Sequence, residues 1–228
     1  MTEFEFNTRE EASVAAAARL QAALERRLAS GAEASLVISG GTTPGRCLSE
    51  LSTASLDWNR VHAVLSDERW VATDSDDSNE KLARELLLRN AAAAARLHGV
   101  FRADMSVDER ARRLDRELRL QPLPFACALL GMGTDGHFAS LFPDADNLAS
   151  GLDPDSPLLC IPVRTKASPH ARISLTLSAL SRSDEIVLLI FGAEKRDVLR
   201  AAKQSATALP VSRLLLQKRA PVNIYWAP

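Results

Sequence analysis

The apolar residues of the chain follow two rhythms. Between Val14 and Leu28 they recur every three or four positions, at Val14, Ala17, Leu20, Leu24 and Leu28, in an alanine-rich stretch closed by Gly31. That spacing predicts an amphipathic helix with a glycine stop. Elsewhere they come as short runs without clean polar alternation: Leu36–Ile38, Val61–Leu65, Phe125–Leu130, Leu158–Val163, Ile186–Phe191 and Val222–Trp226. Such runs predict strands buried on both faces. Helical spacing returns between several of them, over Ser78 to Arg89 with Leu82 and Leu86 one turn apart, and over Ser106 to Leu120 with Val107, Ala111, Leu114 and Leu118 on one stripe. Ser106 and Glu109 stand at capping-box spacing, and the Ala91–Ala95 run reads as a helix end. Strands alternating with helices, without internal repeat or low-complexity linker, predict an α/β fold: a doubly wound, mostly parallel sheet with helices on both faces, in a single domain over residues 1–228.

Composition narrows this picture by exclusion. With 228 residues, 46% hydrophobic and 25% charged, the chain is long enough for a substantial core and too apolar to stay disordered. Its 28 basic and 29 acidic residues give a net charge of −1, so the broad basic surface of a nucleic-acid binder is not expected. Cys47, Cys127 and Cys160 are far apart, odd in number and form no CxxC; they read as small buried hydrophobes, neither a disulfide framework nor a zinc site. The opening Thr2-Glu3-Phe4-Glu5 is acidic and lacks an apolar run, and no stretch reaches the ~18 apolar residues of a membrane span. A cytoplasmic protein with no membrane partner is the expectation.

An open parallel sheet binds its ligands beyond the carboxyl ends of its strands, and four polar clusters follow four of the predicted strands. After Ile38 comes Ser39-Gly40-Gly41-Thr42-Thr43-Pro44. Gly40 and Gly41 let backbone amides approach a ligand, Thr43 is expected as a helix N-cap and Pro44 as the first helical residue; free amides at a helix start suit an anion. Gly40 to Gly45 has P-loop spacing, but Arg46 and Cys47 replace the lysine and hydroxyl that a nucleotide triphosphate needs, so the cluster reads as a monophosphate site. After Leu65 come Asp67, Glu68 and Arg69; Arg69 can either pair with Asp67 or face an anionic substrate. The acids Asp74, Asp76 and Asp77 then favour the start of a helix capped by Ser78.

After Leu130 comes Gly131-Met132-Gly133-Thr134-Asp135-Gly136-His137. Its G-x-G-x-x-G has dinucleotide spacing, but Pro143, Pro154 and Pro157 leave room only for a short helix around His137–Leu141, so the match is accidental. What remains is Asp135 two residues before His137, a carboxylate able to orient an imidazole at the mouth of the sheet. His62, His98 and His170 have no comparable neighbours in the sequence, and the histidines show no metal-ligand spacing. After Phe191, Gly192-Ala193-Glu194-Lys195 places one of only five lysines near a strand end.

These blocks, together with Asp67-Glu68-Arg69-Trp70-Val71, Ser78-Asn79, Leu130 through Pro143 and Arg172-Ile173-Ser174-Leu175-Thr176, resemble the 6-phosphogluconolactonases of the glucosamine-6-phosphate isomerase and deaminase superfamily over essentially the whole chain. The Val71-Ala72 pair departs slightly from the more usual Val-Pro. The resemblance implies a Rossmann-like sheet and a sugar-phosphate substrate whose phosphate is held by the Gly41–Thr43 loop with Arg172 and Lys195, and it places His137 at the reacting carbon. It implies hydrolysis of 6-phospho-D-glucono-1,5-lactone in the oxidative pentose phosphate pathway, with no metal and no organic cofactor. His137, oriented by Asp135, would act as general base, and Arg69, fixed by Asp67, would help stabilise developing charge or hold a substrate hydroxyl. Deaminases of the superfamily carry a tyrosine where this chain has Arg69 and a glutamate where it has Phe142. A deaminase and a catalytically silent sugar-phosphate sensor are the alternatives.

Overall fold

The computed structural model describes residues 1–204 and 209–228. In chain order the elements are β1 (Thr2–Glu5), α1 (Arg9–Ala29), β2 (Ala34–Ile38), α2 (Gly45–Leu51), β3 (Val61–Leu65), β4 (Asp67–Arg69), α3 (Asn79–Leu86), β5 (Arg96–His98), α4 (Val107–Leu118) and β6 (Cys127–Leu130). They continue with α5 (Leu148–Leu152), β7 (Cys160–Val163), β8 (Arg172–Leu175), α6 (Leu177–Leu180), β9 (Ile186–Phe191), α7 (Ala193–Gln204), α8 (Pro210–Leu216) and β10 (Val222–Ala227). Seven strands form one sheet in the order β1-β10-β9-β6-β2-β3-β5, every pair of it parallel. From β2 the chain winds outward through β3 to β5 and, on the other side, through β6 to β9 and β10. The direction therefore reverses between β2 and β6, where a ligand crevice is expected.

The apolar runs form strands because helices pack around the sheet and leave β2, β3 and β6 buried along their whole length. Helix α1 lies against β2, β6, β9, β10 and α2. Its start carries a capping box between Thr8 and Glu11, a signal the apolar spacing alone did not reveal, and Gly31 beyond its end has a φ of +84° that glycine adopts without strain. Ser78 and Ser106 cap α3 and α4 as expected, Ser106 reciprocally with Glu109. The Ala91–Ala95 run is a short 3₁₀ turn over Asn90–Ala94. All three cysteines are free and buried, and burial pushes the Cys47 and Cys160 thiols up to about 12, as befits inert packing groups. No helix among the described residues is long and apolar enough to cross a membrane.

One apolar run takes a different place. Leu158–Val163 yields β7, which does not join the parallel sheet; it pairs antiparallel with β8, and β8 pairs antiparallel with β4, in a separate three-stranded sheet. Apolar composition shows that a strand is buried but not which neighbour it pairs with, and here helix α4 covers it. Only Ser66 separates β3 from β4, and its amide bonds to the carbonyl of Ile38 at 2.8 Å while its carbonyl accepts from Leu175 at 2.8 Å. The small sheet is thus tied to the carboxyl ends of β2 and β3 and brings Asp67, Arg69 and Arg172 to the crevice.

Candidate active site

A cleft of about 240 Å³ opens at the switch between β2 and β6. Gly40, Gly41, Thr42, Thr43, Asp67, Arg69, His137, Arg172 and Lys195 all line it, so five segments from distant parts of the chain meet where the topology reverses. Asp135 stands behind His137. Its Oδ1 lies 2.6 Å from the imidazole Nδ1 and also accepts from the His137 amide at 3.1 Å. The ring nitrogen Nε2 makes no hydrogen bond to any described residue, which leaves it free for a water or substrate. The turn is tight: Gly133 donates to the His137 carbonyl at 2.9 Å, Gly136 has a φ of +77°, and a Cβ on Gly133 would fall 2.3 Å from the imidazole. These glycines serve the histidine, and a dinucleotide cradle is not what they build. The short helix expected around His137–Leu141 is absent. A bridge between Phe138 and Leu141 closes a turn instead, with Ala139 at a φ of +49°, a conformation no α-helix admits.

The loop after β2 approaches its neighbours closely. A side chain on Gly40 would meet the Asn79 amide oxygen at 1.8 Å, and Asn79 is held there by donating Nδ2 to the Asp67 carbonyl at 2.9 Å. Thr43 is not the N-cap. Pro44 occupies that position, already in helical conformation and without a side-chain cap. Proline at the cap supplies no side-chain acceptor, so the threonine hydroxyls stay available to the cleft. Arg46 pairs with Glu10 and Glu50, outside the cleft, in keeping with the absence of a triphosphate cradle.

Asp67 does not fix Arg69. Its carboxylate accepts from Ser66 Oγ at 2.8 Å and Ser140 Oγ at 2.5 Å and faces Arg172 Nη1 at 3.6 Å, whereas Arg69 donates Nη1 to the Asp77 carbonyl at 2.6 Å. Side chains two apart on a strand share a face, and those directly opposite across an antiparallel ladder do too. Asp67 and Arg69 thus line one face, while Ser140 and Arg172 claim the carboxylate. Arg69 and Arg172 are direct cross-strand partners. Two guanidinium groups facing each other repel, which is costly unless an anion comes between them. Burial, above all, holds the Arg172 guanidinium below its usual range, and Arg69 adds to that. Lys195, in the first turn of α7, is likewise lowered chiefly by burial, with no carboxylate at ion-pair distance among the described residues.

Two groups take roles that their place in the sequence did not reveal. Glu68 is buried and accepts from the amides of Arg69, Asn79 and Glu80 at 2.7–2.8 Å and from Ser78 Oγ at 3.1 Å. Burial pushes its carboxyl up, and these bonds pull it back. It binds β4 to the start of α3 and so fixes the loop that carries Arg69. Phe142 packs on His137. Neither role leaves a local sequence signal. The other histidines find polar neighbours in space: His62 Nδ1 lies 2.9 Å from His98 Nε2 and its Nε2 3.3 Å from Glu33, and His170 Nε2 is 3.0 Å from Asp77. These contacts form across strands and loops far apart in sequence. Among the described residues no group of three His, Cys, Asp or Glu could hold a metal ion.

Comparisons with known proteins bear on the family and the fold. The family described as glucosamine-6-phosphate isomerases/6-phosphogluconolactonase matches residues 7–226. A 6-phosphogluconolactonase of Caulobacter vibrioides is 41% identical over 224 residues, covering 97% of this chain and 95% of that one. One from Pseudomonas aeruginosa is 39% identical, covering 93% and 89%. A crystal structure of a 6-phosphogluconolactonase from Shewanella baltica superposes with a TM-score of 0.96 at 35% identity, covering 100% of this chain and 98% of that one. The chain belongs to the glucosamine-6-phosphate isomerase/6-phosphogluconolactonase family, and its sheet is the α/β arrangement of these structures.

Proposed function

From its place in this family we infer that the protein hydrolyses 6-phospho-D-glucono-1,5-lactone to 6-phospho-D-gluconate, as a single domain over residues 1–228 acting without metal or organic cofactor. The observation that carries the reading is the pairing of an imidazole, His137 backed by Asp135 at 2.6 Å, with three cationic side chains, Arg69, Arg172 and Lys195, around one cleft. A lactone phosphate needs that combination. His137 Nε2 takes a proton from a water whose oxygen attacks C1; the carbonyl becomes a tetrahedral oxyanion; the bond from C1 to the ring oxygen breaks; and the imidazolium returns its proton to that oxygen. Arg69 meets the developing negative charge. Lys195, Arg172 and the Gly40–Thr43 loop hold the phosphate, whose charge offsets both the burial of Lys195 and the repulsion between the arginines.

Opening and isomerising an amino sugar needs a further carboxylate in the proton relay, and Phe142 stands where the deaminases carry it. Fresh lactone, generated in situ by glucose-6-phosphate dehydrogenase, is expected to be hydrolysed well above its spontaneous rate, and glucosamine 6-phosphate to release no ammonia while competing weakly for the phosphate site. Ammonia release at a comparable rate would transfer the assignment to the deaminase branch, and lactone left at its spontaneous rate would leave a sugar-phosphate sensor.

The phosphate assignment has its own test. Lys195 meets the phosphate in ground and transition state alike, so Lys195→Met is expected to raise KM by about tenfold or more with kcat little changed, the loss of one charge-assisted contact. Unchanged affinity for 6-phosphogluconate in a calorimetric titration would remove Lys195 from the phosphate site.

A further inference from the structure

The side chain of Phe142 touches both ends of the chemistry. Its ring centroid lies 4.1 Å from that of His137, with the planes 31° apart, and the Arg172 guanidinium carbon stands 5.1 Å from the same centroid. Phe142 is 5% exposed. Its placement is rigid because the turn that carries it is fixed on either side. Before it, Ser140 donates its amide to Ser174 Oγ at 3.1 Å and its hydroxyl to Asp67. After it, the Phe142 carbonyl accepts from Ala145 at 3.1 Å.

We propose that Phe142 is a positioning residue: one aromatic wall that sets the plane of the His137 imidazole and the lie of the Arg172 guanidinium together. The physical need is specific. The bond from Nδ1 to Asp135 fixes a distance and a direction in the ring plane, but it leaves the imidazole free to rock about that axis, which swings the Nε2 lone pair away from the attacked carbon. A flat face 4.1 Å away removes that freedom through an aromatic contact of favourable geometry. Arg172 gains a cation–π contact from the same ring. Phenylalanine also offers no hydrogen-bond acceptor, so it holds both groups without consuming the Arg172 N–H donors that the substrate needs. A carboxylate here would pair with Arg172 or with the imidazolium and withdraw it.

The inference rests on the lactonase reading, and a double-mutant cycle separates its failure from that reading's failure. Phe142→Leu, which removes the ring, is expected to lower kcat roughly three- to tenfold, in line with the worth of an aromatic pair, and to raise KM through Arg172. Phe142→Tyr keeps the face and should stay within about twofold of the parent. In a His137→Ala background, at enzyme concentrations that lift the residual rate above spontaneous hydrolysis, Phe142→Leu should change kcat by less than about twofold, because the ring it positions is gone. Melting curves identify a variant that has lost its fold. If Leu does so, Phe142→Met, with similar volume and no ring, takes its place in the same cycle. Equal losses of kcat in both backgrounds, or a Tyr variant as impaired as Leu, would overturn the positioning role while leaving His137 as base. A His137→Ala enzyme running at the parent rate would overturn both.

Discussion

Replacing His137 by alanine is expected to lower kcat by roughly 10²- to 10⁴-fold, the range that general acid–base catalysis supplies, and to leave binding of 6-phosphogluconate nearly intact. The split follows from where the imidazole is held. The ring's Nδ1 edge is committed to Asp135 at 2.6 Å and its face to Phe142 at 4.1 Å, while the backbone carbonyl of His137 accepts from the Gly133 amide at 2.9 Å. Only Nε2 is left to act on a water. The phosphate contacts belong to other loops and survive the substitution. Progress curves against fresh lactone and calorimetry against the product read the two quantities separately. Loss of product affinity equal to the loss of rate would make His137 a substrate contact and leave the base unassigned.

Asp67→Ala is expected to destabilise the fold by about 3 kcal/mol, the cost of leaving a buried cation without its counterion. For a chain of this length that lowers Tm by roughly 6–12 °C. The Asp67 carboxylate is the acidic partner of Arg172, whose side chain is only 12% exposed; the hydrogen bonds of that guanidinium go to the hydroxyls of Ser168 and Ser140 at 3.0–3.3 Å, and its other contact is the uncharged Phe142 ring. Losing Asp67 also frees Ser140 Oγ and thereby loosens the turn behind Phe142. Because the penalty comes from the orphaned charge, Arg172→Met in the same chain should recover part of the stability, so the double variant melts above the sum of the two losses. Strictly additive melting shifts would show that the two residues do not share one network. The result also distinguishes the observed pairing from the Asp67–Arg69 pair that chain proximity suggests.

Adjacency along the chain was informative where the contact is made within a turn and misleading where it is made across a sheet. Asp135 and His137 lie two residues apart in a glycine-bearing turn, and a turn of that size can fold the carboxylate back only onto its own imidazole; the geometry was legible. Asp67 and Arg69 are also two apart, yet they sit on a strand, where each side chain looks across to a partner strand whose identity depends on topology. Arg172 comes from more than a hundred residues away. His62 and His98 illustrate the same point, since neighbouring parallel strands bring together residues that no local pattern links.

By itself the sequence determined the buried strands, the helices with their serine caps, and the four polar clusters at strand ends, because hydrophobic period, capping chemistry and strand-end position are local properties of the chain. Only the tertiary structure decided that Leu158–Val163 leaves the parallel sheet, that Pro44 rather than Thr43 stands at the N-cap of α2, that Asp67 serves Arg172, and that Phe142 joins the base to the arginine. Each of these depends on which distant segment packs opposite, and burial energy rewards apolar contact without specifying the partner. Partners are selected by the joint fit of the whole chain, which no single stretch of it contains.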